Sequence, residues 1–205
     1  MKKSHKLLIG SLLIFISLLM LSWNYLAKMR DDVFSNMKIS MMGIVSNEKE
    51  EKHQTEQTEE HFVENSGDYT IDYSKYFGIL EIPKIGLKRG FYNTDSRYNN
   101  IEHNVTMVGG SNLPDEPQGN LILMAHSGDS YISYFAYLYR LNVGDECFVT
   151  YNGNVYNYQI VDIYDVPKIG VVTIKRDKTK NTLTMITCTK DNDYLQTVYI
   201  AELVG

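Results

Sequence analysis

Apolar and polar residues alternate along this chain in three distinct textures. From Leu7 to Trp23 the sequence is a nearly unbroken apolar run of 17 residues, interrupted by Gly10, Ser11, Ser17 and Ser22 and preceded by Lys2, Lys3 and Lys6. That is longer than the hydrophobic core of a cleavable signal, roughly 7 to 15 residues, and reaches the short end of the membrane-spanning range. The following Trp23-Asn24-Tyr25-Leu26-Ala27 lacks a small-x-small cleavage site, so residues 1–30 read as a cytoplasmic tail and a retained anchor. The leading lysines favour an inside N-terminus, and Trp23 and Tyr25 suit the outer interface, while Lys28 and Arg30 weaken the asymmetry. No second long apolar run follows, which puts the rest of the chain on one side, outside the cell membrane.

The second texture is polar. Residues 33–45 are mildly apolar, and residues 46–68 are rich in Glu, Gln, Thr and Lys, with two lysines against eight acids. Such a segment has too little to bury to offset the entropy of ordering it, so residues 31–68 are expected to form a polar acidic stalk, helical or disordered.

From Tyr69 onward short runs of Tyr, Val and Ile are separated by Gly, Asn, Asp and Pro, a β-dominated pattern that marks residues 69–205 as the folded domain. Phe77 to Ile82 ends at Pro83 and reads as a strand. Asn120 to Ala125 is apolar throughout and too short for an independent helix, which suggests a strand buried on both faces. Tyr134, Leu138 and Leu141 recur at helical spacing ahead of Gly144-Asp145 and predict a short helix over residues 131–141. Asn152-Gly153 between two apolar runs is a strong hairpin signal. Leu183 to Cys188 and Val198 to Val204 add two more strands. The sum is a mostly antiparallel barrel or sandwich with minor helix.

Charge narrows the classes of function. The net charge is −5, and the domain from residue 69 carries 12 basic against 15 acidic residues, so there is no concentrated positive face to displace the counterions of a nucleic acid. Cys147 and Cys188 form no C-x-x-C pair and lie near no histidine at metal-ligand spacing, which argues against zinc. Whether they pair in a disulfide depends on a distance that spacing leaves open. Asp115 and Glu116 could contribute to a calcium site, but calcium takes about six or more oxygens, and no required metal or cofactor is expected.

Candidate chemistry concentrates at two strand ends. Only His103 and His126 follow residue 69. His126 stands where the Asn120–Ala125 strand gives way to Ser127-Gly128-Asp129, the kind of rigidly supported loop end that carries function, whereas His103 sits in a polar turn. Cys188 ends the strand Leu183-Thr184-Met185-Ile186-Thr187. A free thiol is only a few per cent thiolate at neutral pH, so a neighbouring imidazole is what would make it a useful nucleophile. Cys147, inside a strand, reads as a small packed hydrophobe.

Four segments in order carry a family resemblance. Gly78-Ile79-Leu80-Glu81-Ile82-Pro83-Lys84-Ile85, Gly119 to His126, Phe135 to Leu141 with Gly144-Asp145, and Thr182 to Cys188 resemble the first-strand, histidine, helix-and-turn and cysteine segments of sortases. The resemblance spans about residues 76 to 204. It implies a closed eight-stranded β-barrel with short helices, here preceded by a transmembrane helix and the polar stalk. It also implies a cysteine transpeptidase in which Cys188 attacks a sorting signal of the Leu-Pro-x-Thr-Gly type, forms a thioester, and passes the acyl group to a cell-wall precursor or protein amine. His126 is the implied acid and base, and Ala125 and Thr187 the implied substrate contacts. The partners it implies are surface proteins bearing such signals, the amine acceptor and the membrane.

One position departs from the family pattern. Sortases normally carry an arginine at the start of the last strand, yet no arginine follows Cys188, and Gln196 occupies that place. Its amide can donate a hydrogen bond to an oxyanion but lacks a guanidinium's charge and fork. Lys190 is one candidate for a substitute donor. The alternative to an active enzyme is an anchored, catalytically weak or silent peptide-binding module on the same fold.

Overall fold

The computed structural model describes residues 2–55 and 75–204. Among the described residues one α-helix, α1 (Lys2–Thr55), precedes eight strands: β1 (Gly78–Ile82), β2 (Leu87–Tyr92), β3 (Val105–Met107), β4 (Asn120–Met124), β5 (Glu146–Tyr151), β6 (Asn154–Pro167), β7 (Thr182–Cys188) and β8 (Leu195–Leu203). They close into a barrel in the order β1-β2-β3-β4-β7-β8-β6-β5. Of the two layouts left open by the strand pattern, the structure takes the barrel.

Two strands, β2 and β3, were not expected from the pattern, and β6 runs much further than the Val155–Tyr158 segment that flanks the hairpin turn. Most pairs are antiparallel, but β2 with β3 and β4 with β7 are parallel. The hairpin at Asn152-Gly153 forms as expected, with both residues at positive φ (50° and 81°) between β5 and β6. The helix expected over residues 131–141 is not there. Only Leu138–Arg140 winds, as one 3-10 turn. Phe135 N–H is spent on the carbonyl of His126 at 2.9 Å, and Ser133 N–H on Ser130, so the segment's donors are committed to turns and to the end of β4.

Side chains alternate across the barrel wall. Leu121 and Leu123 of β4, Leu183 and Met185 of β7, and Tyr199 and Ala201 of β8 point into the main core with Leu80, Ile82, Phe91, Val149 and Tyr158. The opposite parity of the same strands forms a second apolar cluster. Ile186, Val198, Ile200 and Val166 are buried there, with Ile122, Met124 and Tyr164 packed beside them and Val172 and Ile174 from the β6–β7 connection. The near-continuous apolar character of β4 and β7 follows from this: both of their faces are covered.

The helix α1 contains a stretch, Leu8–Ser40, long and apolar enough to cross a membrane. Its Leu12, Leu13, Phe15 and Leu19 are exposed, as a lipid-facing surface requires. Residues 31–55 of the expected stalk are helical, and residues 56–68 lie outside the described residues. The first of those helical turns is fastened to the barrel. Arg89 of β2, buried with its side chain 4% exposed, pairs with Asp31 and, at 3.2 Å, with Asp32. Its guanidinium lies 4.2 Å from the centroid of Tyr134, whose hydroxyl donates to Asp31 at 2.8 Å. Tyr76 donates to Ser35 Oγ at 3.3 Å, and Lys38 donates to Tyr92 Oη at 2.7 Å. Gly90 makes room for this seam: a Cβ there would meet the Tyr76 ring at 2.1 Å.

Candidate active site

The parallel pairing of β4 with β7 aligns Leu123 with Met185 and Met124 with Ile186. Continued two residues, the register sets His126 beside Cys188 at the ends of adjacent strands, whose usual separation is about 4.8 Å. Hydrogen bonds carry the alignment past the last ladder residue. Ala125 N–H donates to Ile186 O at 3.4 Å, Thr187 Oγ1 to Ala125 O at 2.9 Å, and Ser127 Oγ to Cys188 O at 2.8 Å. The residues on either side of His126 are thus bonded to Cys188 and to its two predecessors.

Parity puts the candidate groups on one surface. Ile186 and Met124 belong to the outer apolar cluster, so Cys188 and His126, each two residues further on, emerge from that same face. Gln196 of β8 stands directly opposite Cys188, and Val166 of β6 stands opposite Gln196. Residues paired across an antiparallel ladder project from the same surface, so Gln196 and Cys188 share a face. The expected site residues Cys188, His126 and Gln196 are brought together. Thr187 and Ala125 are 5% and 2% exposed, and the Thr187 hydroxyl is engaged in tying β7 to β4.

Three partners of this cluster carry no sequence motif. His126 Nε2 faces Glu102 Oε1 at 3.3 Å, from the turn that also holds the exposed His103. Lys168 Nζ donates to Cys188 Sγ at 3.3 Å. Ser127 holds the Cys188 carbonyl. Glu102 and Lys168 are 24 and 20 residues from their partners, on different elements, and only the closed barrel makes them neighbours. Lys190, the substitute donor considered for the missing arginine, instead sets its ammonium 3.8 Å from the centroid of the Tyr139 ring.

Beside Cys188 opens a cavity of about 680 Å³. Thr187 and Cys188, the Ser127–Tyr137 segment and the β7–β8 turn form its walls, and Tyr25, Lys28 and Asp32 of α1 close one side. His126 is not among the lining residues; its ring is turned toward Glu102. Acids predominate on the rim, with Asp32, Asp129, Asp191 and Asp193 against Lys28 and Lys190.

The second thiol lies in a different environment. Cys147 lies in β5 inside the core, is 0% exposed, and is unpaired, as is Cys188. Burial, with the nearby Asp145 charge adding to it, pushes its thiol up to about 12. Glu116 is also accounted for locally: it accepts hydrogen bonds from Asn112 Nδ2 at 2.8 Å and Leu113 N–H at 3.1 Å.

Comparison with known proteins agrees with this architecture. The family model of the sortase domain matches residues 80–204. No curated protein matches the sequence. Among solved structures the chain is similar to sortase C-1 from Actinomyces oris, with 27% identity and a TM-score of 0.57 over 66% of this chain and 76% of that one. It is also similar to a lid mutant of sortase A from Corynebacterium diphtheriae, at 23% identity and TM-score 0.56 over 70% and 83% of the two chains. A sortase D5 transpeptidase from Clostridium perfringens matches at 21% identity and TM-score 0.54, over 77% and 89%. With its domain matched over most of the barrel and its closed eight-stranded topology shared with these structures, the chain belongs to the sortase family and is a sortase-type transpeptidase.

Proposed function

We propose that this protein cleaves a sorting signal of the Leu-Pro-x-Thr-Gly type through a thioester on Cys188 and transfers the acyl group to an amine of a cell-wall precursor or another protein. The observation that carries this reading is the β4–β7 register, which continues to Cys188 and His126 on one face of a sortase barrel. In the first step the thiolate adds to the scissile carbonyl, and the adduct collapses as protonated His126 gives its proton to the departing amine. In the second, neutral His126 takes a proton from the incoming amine as its nitrogen attacks the thioester. Dividing the exchange in this way conserves the energy of the peptide bond without ATP. Glu102, on one ring nitrogen of His126, orients the imidazole.

In the same reading Gln196 donates to the oxyanion, and Thr187 and Ala125 contact the bound peptide. The acidic rim of the cavity beside Cys188 suits a cationic amine acceptor. The apolar run within residues 1–30 anchors the protein with its N-terminus inside and the barrel outside the cell membrane.

The test is turnover by the full chain in detergent micelles. Given a fluorogenic sorting peptide and an amine acceptor, the protein should release the fluorophore and yield the amine adduct. Cys188→Ala should abolish both, a loss of at least about 10³-fold, and mass spectrometry should find the acyl group on Cys188 of the wild type. Peptide binding with no Cys188-dependent product would sink the enzyme reading in favour of a silent binding module.

A further inference from the structure

The proposed reaction develops negative charge twice, on the sulfur before attack and on the carbonyl oxygen afterward. Gln196, the residue at the family's arginine position, brings no charge to either event. A cation does reach the sulfur, from the next strand over. Val166, Gln196 and Cys188 are aligned across β6, β8 and β7, and the backbone N–H of Lys168 donates to Tyr194 O at 2.8 Å, which keeps the end of β6 on β8. Two residues beyond Val166, Lys168 shares its face and sets Nζ 3.3 Å from Cys188 Sγ.

The other charged groups around the thiol leave this role to Lys168. His126, with Glu102, comes from the end of β4. Asp191 and Asp193 of the β7–β8 turn are negative, and Lys190 from the same turn is stacked on Tyr139. Asp165 accepts hydrogen bonds from Thr189 at 3.2 Å and Thr197 at 2.7 Å. We infer that Lys168 is a catalytic cation of this enzyme, supplying from β6 the positive charge that β8 lacks.

Its ammonium stabilises the Cys188 thiolate and remains protonated throughout. The sulfur lone pair forms the S–C bond as the carbonyl π pair moves to oxygen. That pair returns to re-form C=O when the C–N bond breaks, and the amine leaves with the proton of His126. Lys168 neither gives nor receives a proton, and its charge offsets the negative charge as that charge passes from sulfur to oxygen.

The inference rests on Cys188 being the nucleophile, but it is tested apart from peptide turnover. The full chain in detergent is alkylated with iodoacetamide, a neutral reagent, and modification of Cys188 is followed by mass spectrometry, with buried Cys147 as the internal control. Removing a cation in contact with a partly solvated thiolate should slow alkylation of Lys168→Met about fivefold at pH 7. Lys168→Arg should stay within about twofold of wild type. Because a free thiol is largely ionised by about pH 10, the Lys168→Met deficit should vanish there. Wild-type reactivity of Lys168→Met at pH 7 would overturn the inference, as would an equal slowing at both pH values, which would report altered access. Turnover of the sorting peptide, measured in parallel, should fall at least about tenfold in Lys168→Met and recover in Lys168→Arg. If the alkylation pattern appears while no variant, wild type included, cleaves peptide, the acyl-transfer reading fails and the Lys168–Cys188 pair stands.

Discussion

Two cysteines of one chain are driven apart by environment alone. Cys188 is half-exposed at a strand end with Lys168 on its sulfur, whereas Cys147 is sealed inside β5, where a thiolate has no solvation. Burial raises the Cys147 thiol from its usual value near 9 to about 12. The unfolded chain therefore ionises this group first. Its contribution to stability is complete below pH 9 and is lost as the pH climbs from 9 toward 12. Thermal unfolding of wild type and Cys147→Ala across that range should show the difference between them shrinking as pH rises; a constant difference would mean that Cys147 does not titrate on unfolding. Cys188 and His126 stand out in the sequence because each ends an apolar strand and few rivals exist. Glu102 and Lys168 were not legible, since charged residues in polar loops look alike until the fold selects among them.

At the scale of elements, the parallel register of β4 and β7 does most of the positioning. Each strand is covered on both faces, so a slip by one residue would exchange the two apolar clusters and turn His126 or Cys188 into the core. The other decisive contact is between α1 and β2. Arg89 is buried with its Nε unpartnered, and the positive charge depends on Asp31 and Asp32. Stranding such a charge costs more than removing it. Asp31→Ala combined with Asp32→Ala should therefore destabilise the protein by about 2–4 kcal/mol in denaturant unfolding, and Arg89→Met by clearly less. The reverse order would mean that the acids are solvated and the pairing contributes little. The helical spacing of Tyr134, Leu138 and Leu141 misled because the hydrogen bond from Phe135 N–H to His126 O, invisible to periodicity, ties that segment to β4 instead.

On the scale of the whole molecule, the barrel sits against the helix that carries the apolar run. Asp31 is eight residues past Trp23, about 12 Å along a helix, so the cavity beside Cys188 opens close to where the apolar run ends, and Tyr25 and Lys28 form part of its wall. A fragment beginning at Lys75 should keep the closed barrel but lose the partners of Arg89. Its melting temperature is expected to lie roughly 5–10 °C below that of the full chain, as differential scanning calorimetry would show; equal values would argue that the α1 seam adds no stability. By itself the sequence determined an apolar run long enough to cross a membrane, the β character of the domain, the two strand ends at which Cys188 and His126 stand and the absence of an arginine after Cys188. Those are local properties, set by runs of side chains and by which residue types are present. Closure of the barrel, the face shared by Cys188, His126 and Gln196, the approach of Lys168 and the fastening of α1 to Arg89 were decided only by tertiary structure. Each of these joins residues that are distant along the chain, and pairing of that kind is set by how strands register and close around a common core.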